Sequence, residues 1–308
     1  MSNRELIVLG SASQVPTRHR NHNAYFLRWE DEGILFDPGE GTQRQMTYAG
    51  LSSRQVTRIC ITHFHGDHAL GLPGIIQRLS LDSAPHPVEV YYPASGQVFY
   101  ERLRHATPFM DKATIVPRPI AKDGVLARTK GFTLSAAKLE HSIDTFGFRL
   151  EEHARVQLDP SRLAAHGLSG PRVGELQRRG VVEVDGRTVR LEEVGEKREG
   201  QSFAFIMDTR PCANAARLAE GVDLLVCEST YLDSEREEAH GHFHMTALQA
   251  AELARDAKVR RLALTHFSQR YEDTAPFVQE AQVFVSDVVA VRDLDHVEVP
   301  KRSRVAQS

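Results

Sequence analysis

Two apolar runs in this chain of 308 residues end in the same way. Arg58-Ile59-Cys60-Ile61-Thr62 passes into His63-Phe64-His65, and Arg261-Leu262-Ala263-Leu264-Thr265 passes into His266-Phe267-Ser268. Short apolar and β-branched stretches bounded by polar residues read as strands, so each half of the chain brings a histidine to a strand end. That match suits a two-layered sheet sandwich of similar halves, with both strand ends converging on one cleft. The rest of the chain agrees with it. Leu6–Gly10, Ala24–Leu27, Gly33–Asp37 and Val56–Thr62 read as strands, followed by a helix over Ala69–Leu81, a strand at Val88–Tyr92 and a helix near Gln97–His105. Strands resume at Phe203–Asp208 and Leu224–Glu228. Thr246-Ala247-Leu248-Gln249 then has the form of a capping box that starts a helix at about Ala247. Alternation of this kind predicts an α/β fold.

Residues 151–200 break the alternation, being rich in Arg, Glu and Gly with Leu168-Ser169-Gly170-Pro171-Arg172-Val173-Gly174 at their centre. Core-type periodicity is absent there, and the stretch reads as a hydrophilic insert projecting from the body. The chain thus divides into a main unit, 1–151 with 200–308, and an inserted segment, 152–199. No apolar run approaches the roughly 18 residues of a membrane helix, and the N-terminus leads into a strand without the apolar core of a secretion signal. A cytoplasmic protein with no membrane association is expected. Cys60, Cys212 and Cys227 lie far apart and outside any C-x-x-C pattern, which suggests neither a thiolate zinc knuckle nor a disulfide framework. A formal charge of −3 and a pI near 6.6 lack the overall basic excess of many nucleic-acid binders. A local basic patch stays open, because affinity follows the phosphates actually contacted.

The chemistry concentrates in His63-Phe64-His65-Gly66-Asp67-His68, with four potential metal ligands in six residues. Alternation at a strand end puts His63 and His65 on one side, and Gly66 is expected to permit a backbone turn that swings Asp67 and His68 towards the same space. Two pairs of ligands aimed at neighbouring points suit two ions about 3.5–4 Å apart. Imidazole and carboxylate without thiolate favour zinc, with manganese or iron as alternatives. One such cluster does not close two coordination spheres. His141, Asp208 and His266 each end a β-like run and are the candidates to complete them, with Asp208 as the candidate bridge.

His63 to His68 resembles the H-x-H-x-D-H motif of the metallo-β-lactamase superfamily, and further segments resemble, within it, the ribonuclease Z family of tRNA 3′-processing endoribonucleases. Leu35–Gln43 is similar to that family's strand and turn before the metal motif. Pro16-Thr17-Arg18-His19-Arg20-Asn21 is similar to its substrate-end loop, usually P-x-K-x-R-N, with Arg18 where Lys is common. Gly170-Pro171, followed by Gly174-Glu175-Leu176, resembles the tip of its protruding tRNA-binding arm; Asp208-Thr209-Arg210-Pro211 and Thr265–Tyr271 resemble its late motifs.

The resemblance implies an α/β fold of αββα type, a sandwich of two mixed β-sheets flanked by helices. It implies two zinc ions per subunit, or manganese or iron: one held by His63, His65 and His141, the other by Asp67, His68 and His266, with Asp208 bridging. The implied reaction removes the 3′ trailer from precursor tRNA by attack of a metal-bridging hydroxide, oriented by Asp67, leaving a 3′-hydroxyl on the tRNA and a 5′-phosphate on the trailer. The family's H-x-T motif falls on His244-Met245-Thr246, with Met245 where Ser is frequent; a shifted register would use His242. His244 is expected to protonate the leaving oxygen, with Glu228 orienting it. Arg18, Arg20, Asn21, Gly170, Pro171, Arg270 and Tyr271 are the expected substrate contacts, and Arg172, Arg178 and Arg179 the expected phosphate grip of the arm. Expected partners are precursor tRNA and a second copy of the chain in a homodimer. The alternative is a small-molecule phosphodiesterase or other hydrolase of the same fold, which has no need of the arm.

Overall fold

The computed structural model describes residues 4–302. Two mixed, seven-stranded sheets face each other. The first runs in the order His296–Glu298, Arg4–Gly10, Ala24–Trp29, Glu32–Phe36, Arg58–Cys60, Val88–Pro93, Ile115–Ile120. The second runs Val288–Ala290, Arg261–Thr265, Leu224–Glu228, Ser202–Ile206, Phe146–Glu152, Phe132–Lys138, Gly124–Arg128.

Side-chain alternation builds the layers. Along Arg4–Gly10, Leu6 and Val8 enter the space between the sheets, where Tyr25, Phe36, Phe148 and Phe205 also pack, while Ile7 and Leu9 turn outwards to meet helices. Both faces of this strand are covered, which is why it reads as a continuous apolar run. Helices Thr42–Tyr48, Leu72–Leu81 and Gln97–Arg104 cover the first sheet, the second of them through Leu72, Ile75, Ile76 and Leu79 at helical spacing. Helices Ala213–Ala219, Ala247–Asp256 and Ala275–Ala281 cover the second. Ala247–Asp256 packs through small residues, Ala247, Ala250, Ala251 and Ala254, and begins at a complete capping box between Thr246 and Gln249. The αββα sandwich is therefore the fold. Among the described residues no helix is long and apolar enough to cross a membrane.

The parallel strands place the site. Glu32–Phe36 and Arg58–Cys60 run parallel in the first sheet; Ser202–Ile206, Leu224–Glu228 and Arg261–Thr265 run parallel in the second. Their C-terminal ends deliver side chains to one cleft, the usual location of ligands in open α/β sheets. A short parallel pair, Ala12–Ser13 with Phe267–Ser268, joins the two halves beside it.

Between Glu152 and Gln201 the chain leaves the second sheet. Arg155–Leu158 pairs antiparallel with Gly195–Arg198, and this ribbon carries helices Pro160–Ala165 and Pro171–Arg179 and the hairpin of Val181–Val184 with Arg187–Arg190. The missing periodicity of this stretch does not mean a missing core. Leu168, Leu176, Val182, Val184, Val189 and Val194 are buried in a cluster of their own. Each short piece gives only a few residues to that cluster, too few for a helix or strand period to show. The hairpin turns at Asp185 and Gly186, both left-handed with φ of 49° and 75°, the backbone of a two-residue hairpin turn.

Candidate active site

His63 and His65 lie just beyond the strand Arg58–Cys60. The backbone turn expected at Gly66 is one turn of helix, Gly66–Ala69, that opens at His65, and helical rotation brings the Asp67 and His68 side chains round. His141 lies in the loop after Phe132–Lys138, and Asp208 and His266 follow Ser202–Ile206 and Arg261–Thr265. Asp208 and His266 have left-handed backbones, φ 42° and 62°, a conformation that costs a side-chain-bearing residue about 1–2 kcal/mol. Asp37, ending the strand Glu32–Phe36, shares it with φ 44°. Three strands of the two sheets thus end in a polar residue on strained backbone at the same cleft.

The donor atoms form two sets. In one, His63 Nε2 lies 3.0 Å from His65 Nδ1, His141 Nε2 lies 3.3 Å from the same atom, and Asp208 Oδ2 lies 3.5 Å from His63 Nε2 and 3.7 Å from His141 Nε2. In the other, His68 Nε2 is 3.3 Å from Asp67 Oδ2 and 3.4 Å from Asp208 Oδ2, while His266 Nε2 is 3.7 Å from Asp67 Oδ2 and 3.2 Å from Asp208 Oδ1. A tetrahedral shell with metal–ligand bonds of about 2.0–2.2 Å has its donors about 3.3–3.6 Å apart. The separations in both sets, 3.0–3.7 Å, scatter around that edge, and Asp208 belongs to both. Asp208 Oδ1 and His266 Nε2 are buried without a hydrogen-bond partner, as atoms reserved for a cation are.

The outward sides of four of the rings are held by neighbours, which aims their inward nitrogens at the cleft. His68 Nδ1 meets Asp37 Oδ2 at 2.9 Å, His63 Nδ1 meets Thr62 Oγ1 at 3.0 Å, His266 Nδ1 meets Thr230 Oγ1 at 2.8 Å and His141 Nδ1 meets the Phe243 carbonyl at 3.2 Å. Such partners fix ring orientation and tautomer in metal-binding histidines. Burial opposes positive charge on His68, yet Asp208 and Asp67 outweigh it and raise its pKa well above the ordinary range. Burial likewise opposes the negative charge of Asp208, and the surrounding histidines outweigh it and hold its pKa well below the usual carboxylate range. The pocket attracts positive charge.

Across the cleft stands His244, its ring 5.4 Å from those of both His141 and His266. Its Nδ1 lies 2.9 Å from Glu228 Oε1, and Glu228, fully buried, also accepts from the Thr209 backbone N–H at 2.8 Å and from Thr230 Oγ1 at 2.7 Å. Burial disfavours a charged His244, but Glu228 overrides it and the pKa is pushed up to about 9. His242 also lines the cleft, near Tyr231, but it is His244 that meets Glu228, while Met245 is buried in the apolar helical layer.

The chain matches a family model described as the metallo-beta-lactamase superfamily over residues 17–155 and another described as a beta-lactamase superfamily domain over residues 178–267. Relatives named Ribonuclease Z include that of Nocardia farcinica, 56% identical over 304 residues, which are 98% of this chain and 100% of the relative. That of Chlamydia muridarum is 45% identical over 303 residues, with the same coverage. The chain belongs to the ribonuclease Z family. It is accordingly a hydrolase of the endoribonuclease class, and use of divalent metal fits the fold and the His/Asp clusters alike. Among solved structures, human tRNase Z, short form, is similar with a TM-score of 0.69 at 24% identity, covering 96% of this chain and 99% of that one. The metallo-beta-lactamase fold protein YhfI from Bacillus subtilis is similar with a TM-score of 0.71 at 15% identity, covering 97% and 100%. These two likenesses are of fold.

The residues that the ribonuclease Z resemblance marks for substrate contact are scattered. The cleft, about 970 Å³, is flanked by Gln14, His22, Tyr231 and Arg270 as well as the donor residues. Arg270 is held by Glu235 at 2.6 Å and Glu238 at 2.8 Å, so its charge is already matched. Tyr271 turns away: its hydroxyl accepts from the Leu232 N–H at 3.2 Å and its ring packs on Phe277. Arg18 is exposed, whereas Arg20 is buried and donates to the Tyr271 carbonyl. The Asn21 side chain donates to the Glu40 carbonyl at 2.8 Å and its backbone N–H to Asp293 at 2.6 Å, so Arg20 and Asn21 hold the loop's shape. Gly170, at φ 55° and ψ −137°, and Pro171 open the helix Pro171–Arg179 and do not line the cleft. Asp37, Thr62 and Thr230, which orient the donors, escape the sequence reading. Asp37 carries a usable signal, because it ends a β-like run just as Asp208 and His266 do.

Proposed function

We propose that this chain removes the 3′ trailer from precursor tRNA, leaving a 3′-hydroxyl on the tRNA and a 5′-phosphate on the trailer. The observation that carries the reading is Asp208 shared between two tetrahedrally spaced donor sets, with His244 on Glu228 facing them, in a chain 45–56% identical to ribonucleases Z. Two zinc ions per subunit, with manganese or iron as substitutes, suit the nitrogen and oxygen donors: His63, His65 and His141 for one, Asp67, His68 and His266 for the other, Asp208 between them. When bound, the ions supply Lewis acidity towards the scissile phosphate and an activated water at neutral pH.

The chain's own groups do the rest. Asp67 accepts the Gln14 backbone N–H at 2.8 Å through Oδ2 and is placed to orient the attacking water with the same carboxylate. His244, protonated at neutral pH, gives its proton to the leaving 3′ oxygen, and Glu228 steadies the imidazolium. Arg18 and Arg270 line the approach for RNA, and the segment 152–199, with Gly170 and Pro171 at the start of its Arg-bearing helix, grips the folded body of tRNA by shape and phosphates. In this reading the enzyme works in the cytoplasm as a homodimer, one subunit's arm holding tRNA for its partner's cleft. A hydrolase of small phosphodiesters has no use for an ordered arm with a core of its own.

Incubating the zinc-loaded protein with precursor tRNA and mapping product ends tests the assignment. The expected products carry a 3′-hydroxyl and a 5′-phosphate at a single junction; hydrolysis of small phosphodiesters with no tRNA cleavage sinks it.

A further inference from the structure

The arm meets the sandwich at a narrow joint, where its two chain crossings, at His153–Ala154 and Glu199–Gly200, lie side by side. Its buried cluster shares no residue with the clusters of the sandwich, so the angle between the two bodies is set at that joint. One side chain from outside the arm closes it. The Arg4 guanidinium, 6% exposed, donates through Nη1 to Glu152 Oε2 at 2.5 Å and Gln201 Oε1 at 2.8 Å, and through Nη2 to Glu152 Oε1 at 2.7 Å. It thereby spans the residue just before one crossing and the residue just after the other.

The clamp is itself anchored. Nε and Nη2 of Arg4 reach Glu30 at 3.0 and 2.7 Å, and the guanidinium lies 4.6 Å over the Trp29 ring. Gln201 donates its side-chain amide to the carbonyls of Val299 and Pro300, and its backbone N–H to Glu152 Oε2 at 2.9 Å. A Cβ on Gly200 would come within 2.1 Å of the Glu152 carbonyl oxygen, so the crossings touch backbone to backbone. A planar guanidinium bound in a fork to one carboxylate resists rotation in a way a single-point contact does not. Any angular slack at the joint grows with distance along the arm.

We propose that Arg4 is a positioning residue for tRNA: it fixes the angle of the arm on the sandwich that carries it and so sets affinity for precursor tRNA without touching substrate. This rests on the reading of the segment as a tRNA grip.

Steady-state kinetics of full-length Arg4→Gln on precursor tRNA and on bis(p-nitrophenyl) phosphate tests it. The expected result is a KM for precursor tRNA raised about tenfold, with kcat and turnover of the small ester within about twofold of the native enzyme. Inserting two glycines between Glu199 and Gly200, which leaves Arg4 and Glu152 in place, should raise KM in the same way. Arg4→Lys, keeping charge but not the fork, should fall between native and Arg4→Gln. An unchanged KM in Arg4→Gln, or an insertion variant of native KM, overturns the proposal; so does equal loss on both substrates by the insertion variant. Excising the arm separates the two readings. If that deletion leaves tRNA cleavage intact, the tRNA-grip reading itself fails; if it abolishes cleavage while the joint variants behave as native, only the role of Arg4 fails.

Discussion

The cleft and the arm are built on opposite plans. In the cleft, most functional side chains are held by a neighbour: Asp37 fixes His68, Thr230 fixes His266, Glu228 fixes His244. Three cleft residues, Asp37, Asp208 and His266, sit on left-handed backbone that only a surrounding sheet edge sustains. In the arm, the basic residues Arg172, Arg178 and Arg179 are exposed, and the buried residues serve only to make the arm a body. Under the proposed function the contrast separates two tasks: activating water against phosphorus needs donors fixed to fractions of an ångström, whereas recognising a folded RNA needs a stiff surface at the right distance that carries exposed positive charge.

Four substitutions or deletions sharpen or break that division. Asp208→Ala has the largest effect, because one carboxylate serves both donor sets; hydrolysis of precursor tRNA and of bis(p-nitrophenyl) phosphate should both fall to background in a discontinuous assay. Excision of residues 152–199, closed by a short Gly-Ser link, should abolish tRNA cleavage while leaving the small ester within about twofold, since its hydrolysis needs only the positioned donors. Equal loss of both would show that the arm also builds the cleft. His244→Ala should slow RNA cleavage by about 10²–10⁴-fold and the p-nitrophenyl ester far less, because that leaving group departs without a proton.

The pH dependence follows from the same residue. The His244 pKa is raised to about 9, so the proton-bearing form is present below it and lost as pH rises through it. The RNA rate should therefore fall on the alkaline side, at lower pH once cations sit nearby, and His244→Ala should lack that limb. Asp37→Asn is the mildest: it keeps the shape but weakens the partner of His68 Nδ1, and metal affinity measured by chelator competition should drop about 10–100-fold.

The cleft was legible because its chemistry is local in sequence or stands at strand ends. His63 to His68 declare themselves within one short segment, and His141, Asp208 and His266 share the habit of following a β-like run. Asp37 has the same habit but does not stand out in the sequence, because a lone aspartate after a strand also closes an ordinary turn. Thr62 and Thr230 leave no trace, since a hydroxyl that holds an imidazole looks like any other. The arm's core is not legible in the sequence because hydrophobic period needs length and its pieces are short; Asp185-Gly186, a hairpin signal of two residues, is its one local mark. Arg20 and Tyr271 show the limit of motif reading from the other side. Their places in the sequence suggest substrate, while their contacts, Arg20 with the Tyr271 carbonyl and Tyr271 with Leu232 and Phe277, support the loops that carry their neighbours.

The claim on which the rest depends is that Asp208 joins two metal sites. Elemental analysis of gently purified protein, native and Asp208→Ala, by inductively coupled plasma mass spectrometry tests it most directly. The account predicts about two divalent ions per native chain and fewer than about one in the variant. A native chain that holds at most one ion, or a variant that keeps both, contradicts it.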